Sequence, residues 1–406
     1  MYKNINKNQP QGVLHTYLYD PNVYTSVVMK IRRKSQLSVY DVKEAIELAY
    51  TQNETTMSKV VLNNGEAYFE KMPMTGCRVF FDNRDWIETI NESEKHAFRI
   101  NEGELVRSFI YDNVDDISVL IMAHKIVGDG NALALFAKDI LSNLAGESVE
   151  YKPLNNSGEE GMSSDMKLPF FKKLGINVAN SKWEKTGKTF DWEDYYCLHR
   201  RFWDNKKTYA VSATIKGTEY YNIIEECKNL GISVNSYVLA KQLEKIPRFT
   251  SIGMPVSYRG SNTSLANKEM PMKMNCEYNT QTSFERNAKE IHNVIQKSIS
   301  NSSSRYEERL GLLNIEPTLL DGALMEKYTS YRNEIAKKMC DVLGYSEETK
   351  VQLGAMNLDN ANIKTEYEAF ELKDFVYIPA PTTSTRNVIS ISTLPNSISV
   401  CCCSVK

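Results

Sequence analysis

Hydrophobic and polar positions change period several times in the first part of the chain, which predicts an alternation of strands and helices. Thr25–Arg32 alternates as a strand does, and Ser38 is placed to cap the helix that follows it. Leu105–Tyr111 and Ile117–Ala123 are two apolar runs joined by a turn-rich segment, and they predict a β-hairpin. Apolar residues then recur at helical spacing over residues 131–145.

The rest of the chain predicts a second set of the same elements. Helices are expected over residues 219–229, 234–245 and 284–299, and one long helix over Asp321–Val342. Strands are expected over residues 209–215, 251–258, 355–363, 375–379, 388–393 and 397–404. Two mixed sheets, each with helices on one face, define an α+β (mixed α/β) fold of two similar lobes.

Length and composition are those of an ordinary globular protein with two domains. The chain has 406 residues, of which 42% are hydrophobic and 25% are charged. A loop-like stretch after Tyr151 places the boundary, so we expect lobes of about residues 1–175 and 176–406. The formal net charge of −2 gives no overall basic field, and nucleic acid is therefore not expected as a partner.

The cysteine spacing and the hydropathy of the chain bear on metal binding and on membrane association. None of the eight cysteines forms a CxxC pair, and no histidine is spaced to complete a zinc site, so no metal is expected. No apolar stretch approaches the roughly 18 residues of a membrane span, and the N-terminus has no apolar signal core. We therefore expect a cytoplasmic protein without a membrane partner.

The segment most suggestive of chemistry is HKIVGDG, residues 124–130. It follows the apolar strand of the hairpin and precedes the helix over residues 131–145. Polar residues that end a central strand before a glycine-containing turn often form a site. Because side chains alternate along a strand, Lys125 and His124 are expected to point to opposite faces.

This segment resembles the H-H-x-x-x-D-G motif of the chloramphenicol-acetyltransferase-like superfamily, which includes condensation domains. Gly231–Asn235, before an apolar helix, resembles a second segment of that family, and Pro255–Arg259 resembles a third. The resemblance implies two lobes that form a V with a tunnel between them.

The resemblance also implies a reaction and its partners. The reaction is acyl transfer from a CoA or carrier-protein thioester to an amine or hydroxyl acceptor, as in the condensation-type amide or ester formation of secondary metabolism. The thioester is then a co-substrate rather than a tightly bound cofactor. The expected partners are a small-molecule acceptor and an acyl or peptidyl carrier protein.

The chain departs from the motif at one position. The family places its general base at the second histidine, and Lys125 occupies that position here, while His124 matches the first, structural histidine. Three interpretations remain open. Lys125 acts as a base, a nucleophile or a cation that stabilises an oxyanion. Alternatively, the chain is an inactive binding or recruitment protein in a biosynthetic assembly, or His124 turns into the tunnel through a bulge.

The remaining candidates are supporting residues. Asp129 is expected to pair with an arginine, Arg259 or Arg107, and Gly130 permits a tight turn. Asn357 matches an asparagine that the family carries near its active centre. It is expected either to bind an oxyanion or to close a strand end.

The sequence also makes a prediction about the charge of Lys125. No acidic residue is nearer in sequence than Asp129, and that carboxylate is expected to be occupied by an arginine. An amine buried without a counter-charge has a lowered pKa, because desolvation penalises the cation. We therefore expect a lowered pKa for Lys125 and an activity that rises with pH as this amine loses its proton.

Overall fold

The computed structural model describes residues 15–154, 167–260, 262–345, 352–358 and 363–406. Its strands are β1 (Tyr24–Arg33), β2 (Ser58–Asn63), β3 (Glu66–Lys71), β4 (Arg78–Phe81), β5 (Val106–Asp112), β6 (Asp116–His124), β7 (Thr208–Lys216), β8 (Ser251–Ser257), β9 (Glu269–Asn275), β10 (Leu353–Leu358), β11 (Phe370–Ile378), β12 (Asn387–Leu394) and β13 (Ser397–Val405).

Helices lie between groups of these strands. They are α1 (His15–Leu18), α2 (Val39–Thr51), α3 (Trp86–Ser93), α4 (Gly130–Leu144), α5 (Phe170–Glu184), α6 (Trp192–Trp203), α7 (Gly217–Leu230), α8 (Val234–Lys245), α9 (Phe284–Ser300), α10 (Ser302–Asn314), α11 (Pro317–Tyr328) and α12 (Glu334–Leu343). The predicted mixed α/β class is confirmed. None of the described helices is long and apolar enough to cross a bilayer.

Two large mixed sheets form the framework. The first has the order β11-β1-β6-β5-β4, with only β4 and β5 parallel among its neighbours. The second has the order β7-β13-β12-β10-β8-β9, in which β10 runs parallel to both β12 and β8. A separate hairpin joins β2 and β3.

Local sequence explains the elements that carry the HKIVGDG segment. β5 and β6 pair antiparallel as a hairpin, as predicted, and β6 is buried along most of its length. The Asp129 carboxylate accepts a hydrogen bond of 2.8 Å from the Ala132 N–H and so caps α4. The segment is therefore a turn between a central strand and a helix.

The larger apolar core contains residues of both sheets, a second core packs against the second sheet, and the chain crosses between the sheets near its end. β11 lies at the edge of the first sheet, whereas β12 lies inside the second. The Ser392 hydroxyl donates to the Phe375 carbonyl oxygen over 2.8 Å and thus ties these two strands together. A boundary at residue 175 stays a prediction, since segments beyond it contribute to both sheets.

One predicted helix is wrong. The apolar pattern over Asp321–Val342 suggested a single helix, but α11 ends at Tyr328 and α12 begins at Glu334. Asn333 causes a fresh start, because its side chain accepts hydrogen bonds from the Ile335 and Ala336 N–H groups. The expected strand over residues 355–363 is described only as far as Leu358, and residues 359–362 lie outside the described residues.

Candidate functional site

Two cavities border the second sheet, and the first of them also reaches the end of β6 in the first sheet. The first has a volume of about 1080 Å³, and its wall includes Lys125 at the end of β6. The second has a volume of about 600 Å³, and its wall includes Asn357 on β10. Met254, Pro255 and Glu269 line both cavities, so β8 and β9 form the wall that the cavities share. The tunnel that the family resemblance implied stays a prediction, and the shared wall is what these two cavities have in common.

Lys125 and His124 point in opposite directions, as strand alternation requires. Lys125 is only 6% exposed, and its Nζ lies 5.2 Å from the ring centroid of Tyr17. Among the described residues, no carboxylate forms an ion pair with this amine. Its side chain therefore faces the first cavity as a buried cation held near an aromatic ring.

The sequence-based prediction of a lowered pKa for Lys125 is wrong. Burial acts to lower the pKa, but the charges of Tyr17, Glu269, Asp129 and Asp20 act against it, and the net result is a pKa above the ordinary lysine value. Glu269 and Asp20 are distant in sequence, so the local pattern gave no sign of them. A pKa raised in this direction favours the ammonium form of Lys125 at neutral pH.

His124 lies inside the core beneath the first sheet. Its ring packs edge-on against Tyr24 and Phe98, and its Nδ1 accepts a hydrogen bond of 3.2 Å from the Ile126 N–H. Burial, with smaller contributions from His199 and Arg107, lowers the pKa of His124 to about 3. His124 lines neither cavity, so its ring contributes to the core and not to a cavity wall.

The ion pair expected between Asp129 and Arg259 is present. The Arg259 Nη2 donates to the Asp129 Oδ1 over 2.9 Å, and both side chains are almost completely buried. The Lys268 N–H donates to the other carboxylate oxygen of Asp129 over 2.7 Å. Arg107, the other expected partner, binds Glu104 instead. The Asp129–Arg259 pair therefore joins the motif turn to the segment that leads into β9.

Gly130 is the first residue of α4, and Asn357 lies on β10. A Cβ at Gly130 would lie 2.7 Å from Cζ of Tyr377, so a glycine is needed here for close packing. Asn357 lines the second cavity, and its side-chain oxygen is buried without a hydrogen-bond partner among the described residues. That oxygen can accept a hydrogen bond from a bound molecule, and the two expected roles of Asn357, binding an oxyanion or closing a strand end, stay predictions.

Glu269 is the site residue that the sequence analysis missed. It begins β9, is 9% exposed, and borders both cavities. Burial and the nearby negative charge of Asp129 raise the pKa of Glu269 well above the ordinary range of a glutamate, while Lys125 and Arg259 act in the opposite direction. The alternation of buried methionines at 270, 272 and 274 was the available signal for β9 and for a residue at its start.

Asp20 is the second carboxylate near the amine. It is buried, and its Oδ1 accepts hydrogen bonds from the Thr383 hydroxyl over 2.9 Å and from the Asn22 N–H over 3.0 Å. Burial raises the pKa of Asp20 to about 6, although these hydrogen bonds and Lys125 act against that rise. Asp20 is thus occupied with local structure, whereas the Glu269 carboxylate is not. No group of three or more metal-ligating side chains is present among the described residues.

No family model matches the chain, and no curated protein matches it. Several solved structures are similar to the chain over most of its length. The condensation domain of the monacolin K polyketide synthase is 11% identical, with a TM-score of 0.61 over 97% of this chain and 91% of that chain. The first condensation domain of the CDA synthetase is 12% identical, with a TM-score of 0.61 over 98% and 91%. The trichothecene 15-O-acetyltransferase of Fusarium sporotrichioides is 10% identical, with a TM-score of 0.61 over 98% and 90%.

These similarities establish the fold. At identities near one tenth they do not extend to activity, substrate or partner. The chain has the two-lobed fold of condensation domains and of chloramphenicol-acetyltransferase-like acyltransferases, as the sequence resemblance implied.

Proposed function

We propose that this chain transfers an acyl group from a thioester to an amine or hydroxyl acceptor. The observation that carries the proposal is the buried ammonium of Lys125 in the wall of the large first cavity. Attack on a thioester carbonyl places negative charge on its oxygen, and a fixed cation shielded from water stabilises that charge. In this proposal Lys125 stabilises the oxyanion and is not the base.

Charge at the first cavity suits an anionic donor. Five exposed lysines and two exposed glutamates border its outer part, and we call these lysines the lysine rim: Lys172, Lys182, Lys185, Lys273 and Lys338. The inner wall is mainly apolar, with Ile176, Leu312 and Met339 among its residues. An acyl-CoA or a phosphopantetheine arm combines phosphate charge with a long, slender chain, so either thioester fits as a co-substrate.

The second cavity suits a polar acceptor. Its wall carries hydroxyl and amide groups, including those of Ser257, Asn357 and Thr393, and Glu269 is the only charged residue among the described residues that line it. Acceptor amines and alcohols are hydrogen-bond donors, and these oxygens can receive them. Donor and acceptor would then approach the shared wall from opposite sides.

Structural neighbours with named roles support this reaction class. They include condensation domains of two synthases and an O-acetyltransferase. By analogy, the proposed setting is secondary metabolism, and the proposed partner is an acyl or peptidyl carrier protein that presents the donor thioester.

One observation favours a second candidate, a binding or recruitment protein without catalysis. The position of the usual histidine base is held by Lys125, and the raised pKa of Lys125 leaves it protonated at neutral pH. A chain with this substitution can still hold a thioester at the lysine rim. The two candidates differ in whether a thiol is released.

The experiment that separates them is turnover with a panel of acyl-CoA and acyl-carrier donors and of amine and alcohol acceptors. Released thiol and acylated product are both measured, the latter by mass spectrometry. Lys125→Ala should lower kcat by about 10²- to 10³-fold, the usual cost of one oxyanion donor. Lys125→Arg, which keeps the charge, should retain more activity than Lys125→Ala. Lys138→Ala, on the exposed face of α4, is the control.

Three results would contradict the proposal. Binding of a donor without thiol release in any combination would favour the recruitment protein. Full activity of Lys125→Ala would remove Lys125 from the chemistry. If His124→Asn folded correctly but lost activity, while Lys125→Ala stayed active, His124 would be identified as the base.

A further inference from the structure

The Glu269 carboxylate is buried without the partners that usually accompany a buried charge. Its side chain is on β9 and 9% exposed, yet its carboxylate oxygens form neither a hydrogen bond nor an ion pair with any described residue. A buried polar group left in this state costs free energy. Such an arrangement is more typical of a functional group than of a structural one.

The carboxylate is placed where donor and acceptor would meet. Glu269 borders both cavities, and of the three described residues that do so it is the only ionisable one, since Met254 and Pro255 are apolar. Lys125 lines the first cavity, and its charge acts on Glu269. An acid–base group and an oxyanion-stabilising cation therefore face the same space.

The Asp129–Arg259 pair fixes the backbone that leads into Glu269. Asp129 accepts a hydrogen bond from the Lys268 N–H, directly before Glu269. Arg259 donates through Nη1 to the Ser264 carbonyl oxygen over 2.7 Å and through Nη2 to the Ala266 carbonyl oxygen. The structural part of the HKIVGDG segment thus holds a carboxylate from another strand beside Lys125.

We infer that Glu269 is the general base that deprotonates the acceptor as it attacks the thioester. This inference rests on the function proposed above. The acceptor nitrogen or oxygen forms a bond to the carbonyl carbon while its proton passes to the Glu269 carboxylate, and the carbonyl oxygen becomes an oxyanion beside Lys125. Collapse of this intermediate breaks the C–S bond, and the leaving sulfur takes the proton from Glu269. The products are an amide or ester and a free thiol, and Glu269 is a carboxylate again.

The charges around Glu269 suit this role. Lys125 faces it from the end of β6, Asp129 from the start of α4, Arg259 from the segment after β8, and Tyr377 from β11. Burial is the largest effect, and the pKa of Glu269 is raised to about 8. A base whose pKa lies near the working pH is effective in proton transfer. The active form is the carboxylate, so activity should rise with pH through this raised pKa.

The test compares wild type, Glu269→Gln and Glu269→Ala in the turnover assay. An alcohol acceptor is used because it does not titrate near neutral pH. Glu269→Gln should lower kcat by about 10²- to 10⁴-fold and abolish the rise of rate with pH, while donor binding, measured by calorimetry, stays within about twofold. Formate added to Glu269→Ala should restore part of the rate by acting as a substitute carboxylate. Glu44→Gln, exposed on α2, is the control, and thermal unfolding checks that each variant is folded.

The outcomes separate this inference from the proposed function. If wild type and Glu269→Gln were equally active, the role of Glu269 would be overturned, but the proposed acyl transfer would stand. An unchanged pH profile in Glu269→Gln would likewise overturn it. A wild type that releases no thiol with any donor would overturn the proposed function, and the inference with it. Loss of rate together with rescue by formate would support both.

Discussion

Lys125 and His124 are adjacent in sequence, yet their environments differ in every respect that matters for chemistry. Lys125 faces a cavity and several negative charges, so its pKa is raised, whereas His124 packs among aromatic rings and its pKa is lowered. The alternation of side chains along β6 causes this separation. A single substitution in the motif therefore changes the chemistry of the cavity and leaves the core beneath the sheet intact.

The lowered pKa of His124 predicts how stability depends on pH. His124 has a pKa of about 3 in the folded chain, while an unfolded histidine has a pKa of about 6.5. The unfolded state then binds more protons between these values, so the free energy of unfolding falls as pH falls below about 6.5, by up to about 1.4 kcal/mol per pH unit for this residue. The stabilisation is fully present above that pH.

His124→Asn provides the measurement. The asparagine side chain can still accept the hydrogen bond from Ile126, but it does not titrate. Urea unfolding at several pH values between about 4 and 7 should give a shallower pH dependence for this variant than for wild type. His199, whose pKa burial also lowers to about 3, is present in both proteins, so the difference between the two slopes reports mainly on His124. Equal slopes would show that His124 titrates normally in the folded chain.

At the scale of elements, local pattern predicted most strands and helices near the site. The β5–β6 hairpin, the turn before α4 and the helix that Ser38 caps follow from alternation and capping residues. The site itself depends on Glu269, whose position is fixed by contacts between segments more than a hundred residues apart. No periodicity records such contacts, so the counter-charge of Lys125 could not be found from the sequence.

Close packing at the start of α4 makes a second prediction. A Cβ at Gly130 would lie 2.7 Å from the Tyr377 ring and 3.0 Å from Cδ2 of Leu358, so Gly130→Ala forces β10 or β11 to shift. We expect a destabilisation of about 1–3 kcal/mol, the usual cost of overpacking. Gly175→Ala is the matched control, because its added Cβ meets nothing within 4 Å inside α5.

The control should behave in the opposite way. Alanine favours a helix over glycine by about 0.5–1 kcal/mol, so Gly175→Ala should raise the thermal midpoint slightly. Differential scanning calorimetry of both variants measures the contrast. Equal or higher stability of Gly130→Ala would mean that the α4 terminus does not pack as tightly against β11 as the structure indicates.

At the scale of the whole molecule, the distribution of charge is more informative than its sum. The net charge of −2 gave no sign of a basic field, but exposed lysines gather around one cavity, and a single charged residue among those described lines the other. Different elements surround the two cavities and cause this asymmetry. The helices α5 and α12 bring lysines to the first cavity, whereas β10 brings Asn357 to the second. Composition cannot reveal such an arrangement, since it depends on which surfaces the fold brings together.

The lysine rim predicts how donor recognition depends on charge. Reversing three of its members together, Lys182→Glu, Lys185→Glu and Lys338→Glu, should raise the KM for an acyl-CoA donor by about tenfold or more, since exposed charge pairs contribute roughly 0.2–1 kcal/mol each. These side chains lie at the mouth and Lys125 lies inside, so kcat should change little. Added salt should raise the KM of wild type more than that of the variant, because salt screens exposed charges.

The control reverses Lys95, Lys138 and Lys289, which are exposed and border neither cavity. An equal rise of KM in the control would indicate a general effect of net charge, and an unchanged KM in the rim variant would place the donor at the other cavity.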